Sequence, residues 1–379
     1  MILKNAYVYR NGTRRFEKID IVVKDGKIQD IGDFSFVTEN TVELGGKAVV
    51  PGLVDVHTHG RAGFDFVSAN INALPIMARD YAAHGVTTVM PTIASAPWEQ
   101  MLSAASTVNN FVAGDEEATF CGVHLEGRYI NPLRKGAHAE ELIKMLSPNE
   151  LENEVFRMCK LLHITAAYEL DSDGSFAKKA LDIGATLGLG HTNATFSQAK
   201  LAESRGVTSY THLFNAMPPF HHREGGAICA ALMGDGFAEI ICDGIHVCAD
   251  MVRFAYSILG SARTVLISDS MEATGCPDGE YSIAGNPAVV KNDIALTPDG
   301  ALAGSTLTLD RAVNNLMEFC GIPLEEAILC ATENPAKMIG AFDDCGSIDI
   351  GKRADLIVIE NTNKIDIANV MVNGKFISK

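Results

Sequence analysis

The chain has 379 residues, 47% hydrophobic and 21% charged, which suits one large core plus a smaller module and excludes a disordered or fibrous protein. A formal net charge of −16 argues against nucleic acid or an anionic membrane as a general partner, so an anionic ligand must be captured at chosen local points. No stretch reaches the roughly 18 uncharged apolar residues of a membrane span, and MILKNAYVYRNG lacks a signal-peptide pattern, so a cytoplasmic location is expected.

The first fifty residues read as short strands and turns: ILKNAYVY, the turn Asn11-Gly12, a strand from Ile19 to Val23, the turn Asp25-Gly26, and a strand from Ile28 to Ile31. Asn-Gly and Asp-Gly favour hairpins because both central positions of such turns take positive φ. From residue 51 the pattern changes to short apolar runs separated by stretches of helical period. Eight runs follow: 53–57, 86–92, 119–126, 163–169, 186–191, 208–212, 239–243 and 264–269. Eight strands with helices between them, over some 290 residues, fit a (β/α)8 barrel better than an open sheet. The hairpin grammar returns in DLIVIE (355–360) and in VMVNGKFI with its turn Asn373-Gly374. The expected architecture is therefore α/β: a TIM-like barrel over 51–346, and a small β-sandwich domain built from both termini, 1–50 plus 347–379. The nine cysteines lie singly between Cys121 and Cys345, with no C-x-x-C pair, so they are expected to be reduced and mostly buried.

Residues with metal-ligand chemistry collect at the C-terminal ends of the runs: His57 and His59, Glu126, His191, His212 and Asp269. Side chains alternate faces along a strand, so His57 and His59 point the same way, as two ligands of one ion must. A lone Asp at a strand end more often caps a helix, and a lone His-x-His is often a polar edge. Six such residues on the rim where barrel enzymes keep their active sites instead suit one or two divalent transition ions. Imidazole and carboxylate ligands accommodate zinc or iron, without choosing between them. His124, two residues before Glu126, is expected to point into the barrel, and His84, His163, His221 and His222 read as packing or surface residues.

Beyond these patterns, the motifs PGLVDVHTHG, HLEGRYIN with KGAH, GHTNAT, THLFNAMPPFHHREGG, DGIHV, SDSMEATG and AGSTLTLDRAVNNL resemble the amidohydrolase superfamily, and within it the N-acetylglucosamine-6-phosphate deacetylases. The resemblance runs along nearly the whole chain and implies the same barrel with a split β-sandwich. It makes Glu126, His191 and His212 the main metal ligands, with His57 and His59 supplying a second ion. It gives Asp269 the role of general base and acid, and places His138 beside the substrate carbonyl. Asn215 and Ala216 (backbone N–H groups), Arg223 and His246 become the phosphate contacts, with Arg223 reaching across a homodimer on the segment Pro218–Gly226. The implied reaction removes the acetyl group of N-acetyl-D-glucosamine 6-phosphate.

Three positions depart from the commonest pattern: Arg128, Gly225 and Glu272. Arg128 adds a cation and Glu272 an anion near the rim, which makes N-acetylgalactosamine 6-phosphate the alternative substrate. A cyclic-amide hydrolase of the hydantoinase or dihydroorotase kind ranks lower, because those enzymes bridge their metals with a lysine on the fourth strand, which here reads HITAAYE. A barrel retained only as a binding protein would be expected to have lost some of these ligands, and none is missing.

Overall fold

The computed structural model describes residues 1–35, 40–68 and 70–378. Its larger sheet contains eight parallel barrel strands: Leu53–Thr58, Val86–Ala94, Val123–Glu126, Leu162–Ala166, Thr186–Leu189, Val207–Tyr210, Phe237–Ile241 and Thr264–Ile267. They coincide with the eight apolar runs, with Thr119–Phe120 added as a short extra strand beside the second. The eighth returns to the first through Asp269 N–H to His57 O (2.9 Å), Ser268 N–H to Asp55 Oδ1 (3.3 Å) and Ser268 Oγ to Asp55 Oδ2 (2.5 Å). Parallel strands covered by helices are buried on both faces, which is why these runs are continuously apolar rather than alternating.

The two ends of the chain form one sheet. Its order is Lys375–Phe376, Ile367–Val372, Leu356–Ile359, Ala48–Pro51, Ile2–Arg10, Arg15–Lys24 and Lys27–Gly32, with Thr41–Glu43 beside Ile2–Arg10. The N- and C-terminal parts meet where Ala48–Pro51 pairs antiparallel with Leu356–Ile359. Strand alternation there serves two cores. Val49, Leu356 and Val358 join a small core within the sheet, while Ala48, Val50, Ile357 and Ile359 pack into the barrel core. The sheet also curls on itself, with Ile28 N–H to Lys352 O (2.9 Å) and Ala354 N–H to Gly26 O (2.8 Å).

The Asp25-Gly26 and Asn373-Gly374 turns have positive φ at both positions, as expected. Asn11-Gly12 does not. The loop spans residues 11–14 with Arg14 at φ 54°, because Asn11 is used elsewhere: its Nδ2 reaches Glu333 Oε2 (2.8 Å). All nine cysteines are free, but only Cys242, Cys330 and Cys345 are buried, so the expectation of mostly buried thiols is corrected.

An element absent from the sequence reading follows the eighth barrel strand. Gly279–Ile283, Asn286–Lys291 and Ile294–Leu296 form a three-stranded antiparallel sheet over the rim. Among the described residues, no helix is long and apolar enough to cross a membrane.

Candidate metal centre and ligand cavity

His57 and His59 leave the first barrel strand, Glu126 ends the third, and His191, His212 and Asp269 follow the fifth, sixth and eighth. All six are buried. His191, His212 and Asp269 have φ of 46°, 32° and 48°. This left-handed region is unfavourable for residues with a Cβ, by about 1–3 kcal/mol each, and is tolerated where the surroundings fix it. Here the fixing bonds are Asn131 N–H to His191 O (2.9 Å), His212 N–H to Glu239 Oε2 (3.2 Å) and Ser305 N–H to Asp269 O (2.7 Å).

Four imidazoles converge on Glu126, with Asp269 beside His57 and His59. Its Oε1 lies 2.9 Å from His212 Nε2, 3.2 Å from His191 Nε2 and 3.3 Å from His57 Nε2. Its Oε2 lies 3.1 Å from His59 Nε2, and Asp269 Oδ1 is 3.1 Å from that same nitrogen. Two groups result, His57–His59–Asp269 and Glu126–His191–His212, each with its donor atoms within 4.8 Å of one another.

The far sides of the rings test whether this is a cation site. His191 Nδ1 faces the carbonyl oxygen of Arg134 at 2.8 Å, which can only accept, so Nδ1 carries the hydrogen. His57 Nδ1 faces Glu239 Oε2 at 3.0 Å and is assigned the same way. In each neutral ring Nε2 is then a lone pair aimed at carboxylate oxygens, and His57 Nε2 has no hydrogen-bond partner among the described residues. Lone pairs facing carboxylates require a cation or a proton between them, and this outer bonding is how metal-ligating histidines are oriented.

Protonation follows the same charges. Burial would lower the His59 imidazole, but hydrogen bonds to Asp269 and Glu126 outweigh it and raise the pKa to about 9. Burial also opposes the charged form of His57, yet Glu126 and Asp269 hold its pKa well above the usual value. The Glu126 carboxyl is driven well below its ordinary range against the cost of burial, by His57, His191 and His212. His138 behaves oppositely: burial, and then the neighbouring His191 imidazole, lower its pKa to about 3, so it is neutral at ordinary pH.

The cluster floors a cavity of about 250 Å³. His138, Asn215, Ala216 and His246 line this cavity. His246 Nδ1 is bonded to Asp243 Oδ2 (2.6 Å), and its other nitrogen has no hydrogen-bond partner among the described residues. Arg223 is not brought in. It lies on an exposed loop, with Nη1 3.0 Å from His222 Nε2. Among the described residues, no lysine or arginine lines the cavity.

Two rim assignments are corrected. Arg128 turns away from the cavity, stacked on Trp98 (4.7 Å to the ring centroid) and 3.3 Å from Glu150. Glu272 braces the inserted hairpin, its Oε1 accepting from the N–H and Oγ of Ser282. His124 does point into the barrel, its ring 4.6 Å from that of His57. Sequence reasoning missed Glu239, the buried carboxylate behind His57, although a charge opening the apolar run EIICD was a usable signal. It also missed the hairpin, which gives the cavity Ile283, Ala284 and Asn286.

Comparison with known proteins gives a consistent set. Residues 48–377 match the amidohydrolase family. An N-acetylglucosamine-6-phosphate deacetylase of Bacillus subtilis (strain 168) is 32% identical over 392 residues, covering 100% of this chain and 94% of the relative. An N-acetylgalactosamine-6-phosphate deacetylase of Escherichia coli O157:H7 is 32% identical over 345 residues, covering 90% of each. The crystal structure of the N-acetylglucosamine-6-phosphate deacetylase of Pasteurella multocida superposes with a TM-score of 0.91 at 29% identity, covering 100% of this chain and 99% of that one.

Proposed function

Because the chain belongs to the amidohydrolase family, we propose that it hydrolyses N-acetyl-D-glucosamine 6-phosphate to D-glucosamine 6-phosphate and acetate. The observation that carries this reading is the convergence of four imidazoles and two carboxylates on the floor of a sugar-sized cavity, in a chain similar throughout its length to such deacetylases.

In this reading Glu126, His191 and His212 would hold one divalent ion and His57, His59 and Asp269 a second; zinc and iron both suit the donors. When bound, such an ion would make a water markedly more acidic and supply positive charge for the acyl oxygen. Asp269, kept ionised by His57 and His59 against the cost of burial, takes the proton of the attacking water and returns it to the departing amine. His138, neutral and lining the cavity, donates a hydrogen bond to the developing oxyanion. The backbone N–H of Ala216, with His246, takes the phosphate; that of Asn215, expected to share this role, is already donated to His212 O (2.9 Å).

With no lysine or arginine lining the cavity among the described residues, the phosphate would gain most from Arg223 of a second copy. The loop carrying Arg223 is flanked by exposed Phe220 and Phe254, with ring centroids 6.1 Å apart, and Ile258 and Met233 are also exposed, which supports a homodimer through this face. The division into 1–50 plus 347–379 and 51–346 remains our reading of the domains, Lys379 lying outside the described residues. A cytoplasmic metabolic enzyme fits the composition.

The deciding experiment measures amine release from N-acetylglucosamine 6-phosphate, the unphosphorylated sugar and the galactosamine epimer, with metal-replete and chelated protein. Metal-dependent release favouring the glucosamine phosphate is expected. Preference for the epimer would move the specificity, and no release from any of them with metal bound would overturn the reading. Mixed dimers of Arg223→Ala and Asp269→Asn subunits should recover activity that neither variant has alone; no recovery would place Arg223 outside the shared site.

A further inference from the structure

We infer that Ser95 is a positioning residue that fixes which nitrogen of His138 carries the proton. Ser95 follows the second barrel strand and is fully buried. Its Oγ accepts the backbone N–H of Arg128 (2.8 Å), which leaves the hydroxyl hydrogen for another acceptor. That acceptor is His138 Nδ1 at 2.9 Å, and the same nitrogen receives the backbone N–H of Ser95 at 3.4 Å. A backbone N–H can only donate, so Nδ1 is held as a lone pair. A proton there would confront the amide hydrogen directly.

The hydrogen of the neutral ring is therefore on Nε2, the nitrogen nearer the metal-directed cluster, 3.9 Å from Glu126 Oε2. Gly127 keeps the arrangement possible. A Cβ at this position would lie 2.3 Å from Ser95 Oγ and 3.0 Å from His138 Cε1, and the backbone φ of +121° already favours glycine. Arg128 N–H, Ser95 O–H and His138 Nε2–H thus form one directed chain that ends in a donor facing the cavity. Without the hydroxyl, only the longer amide contact of 3.4 Å opposes a hydrogen on Nδ1, so part of the population takes that tautomer and presents a lone pair to an oxyanion, which repels it.

The kinetic arm of the test rests on the deacetylase reading; the spectroscopic arm does not. In zinc-loaded protein labelled with 15N-histidine, and with His138 assigned by the signal lost in His138→Ala, Nδ1 should be unprotonated and Nε2 protonated. Ser95→Ala should shift this toward mixed tautomers. With N-acetylglucosamine 6-phosphate, Ser95→Ala should lower kcat by about 10–100-fold with KM little changed, and Ser95→Thr should restore most of it. His138→Ala should lower kcat by about 100–1,000-fold, and adding Ser95→Ala should cost nothing more. A wild-type His138 protonated at Nδ1, or losses that multiply in the double variant, would overturn the inference. If the phosphosugar is not hydrolysed at all, the tautomer measurement alone decides it.

Discussion

Four imidazole nitrogens approach the single carboxylate of Glu126 to between 2.9 and 3.3 Å, an arrangement stable only if positive charge sits among them. Protons and a divalent ion compete for that place. The folded pKa of His59, about 9, lies above its ordinary 6.5, so in metal-free protein its stabilisation is complete below about pH 6.5 and is lost as pH rises through 9. Calorimetry should accordingly find the melting temperature of metal-free protein falling between pH 6.5 and 9.5, and the metal-loaded protein lacking that fall because the ion has replaced the protons. In the proposed reaction Asp269 would have a second role besides facing a bound ion. Asp269→Asn should keep metal at Glu126, His191 and His212 yet lower kcat by about 100- to 10,000-fold; near-normal turnover, with metal content measured alongside, would remove Asp269 from proton transfer.

At the scale of elements, the barrel brings the ligands to one rim, and the inserted hairpin closes one wall of the cavity. Two carboxylates, the buried Asp65 and the half-buried Glu272, hold that hairpin: Asp65 Oδ2 accepts Ala284 N–H (2.9 Å), and Glu272 accepts from Ser282 (3.0 Å to Oγ). Glu272→Ala should loosen the wall without touching the metal-directed residues. Steady-state kinetics should then give a KM several-fold higher, with metal content unchanged; an unaltered KM would mean that the hairpin does not contact substrate. The hairpin escaped the sequence reading for a physical reason. Its strands are short and half exposed, one carries a proline, and only Asn292-Asp293 among its turns has the usual turn composition, whereas Ala284-Gly285 places an alanine at φ 48°.

Over the whole molecule, the sheet from the two termini and the floor of the barrel share a partly buried ionic joint. Arg353 reaches Asp355 (3.1 Å) and Asp344 (2.8 Å), and also bonds Thr88 on the second barrel strand. Arg353→Met would leave Asp355 buried and uncompensated, a cost of about 3–5 kcal/mol. Denaturant unfolding should report that loss, while kcat per folded molecule is kept because the joint is at the opposite end of the barrel from the cavity. Much of this organisation was legible in the chain. Periodicity and turn pairs marked eight strands, a hairpin module at each end and the ligand residues at strand termini, because burial on two faces and left-handed turns impose local composition. The chain alone did not place Arg128 against Trp98, Glu272 on the hairpin, Glu239 behind His57 or Ser95 behind His138. Those contacts join residues 10 to 182 positions apart, and only the closed barrel determines which side chains meet across its axis.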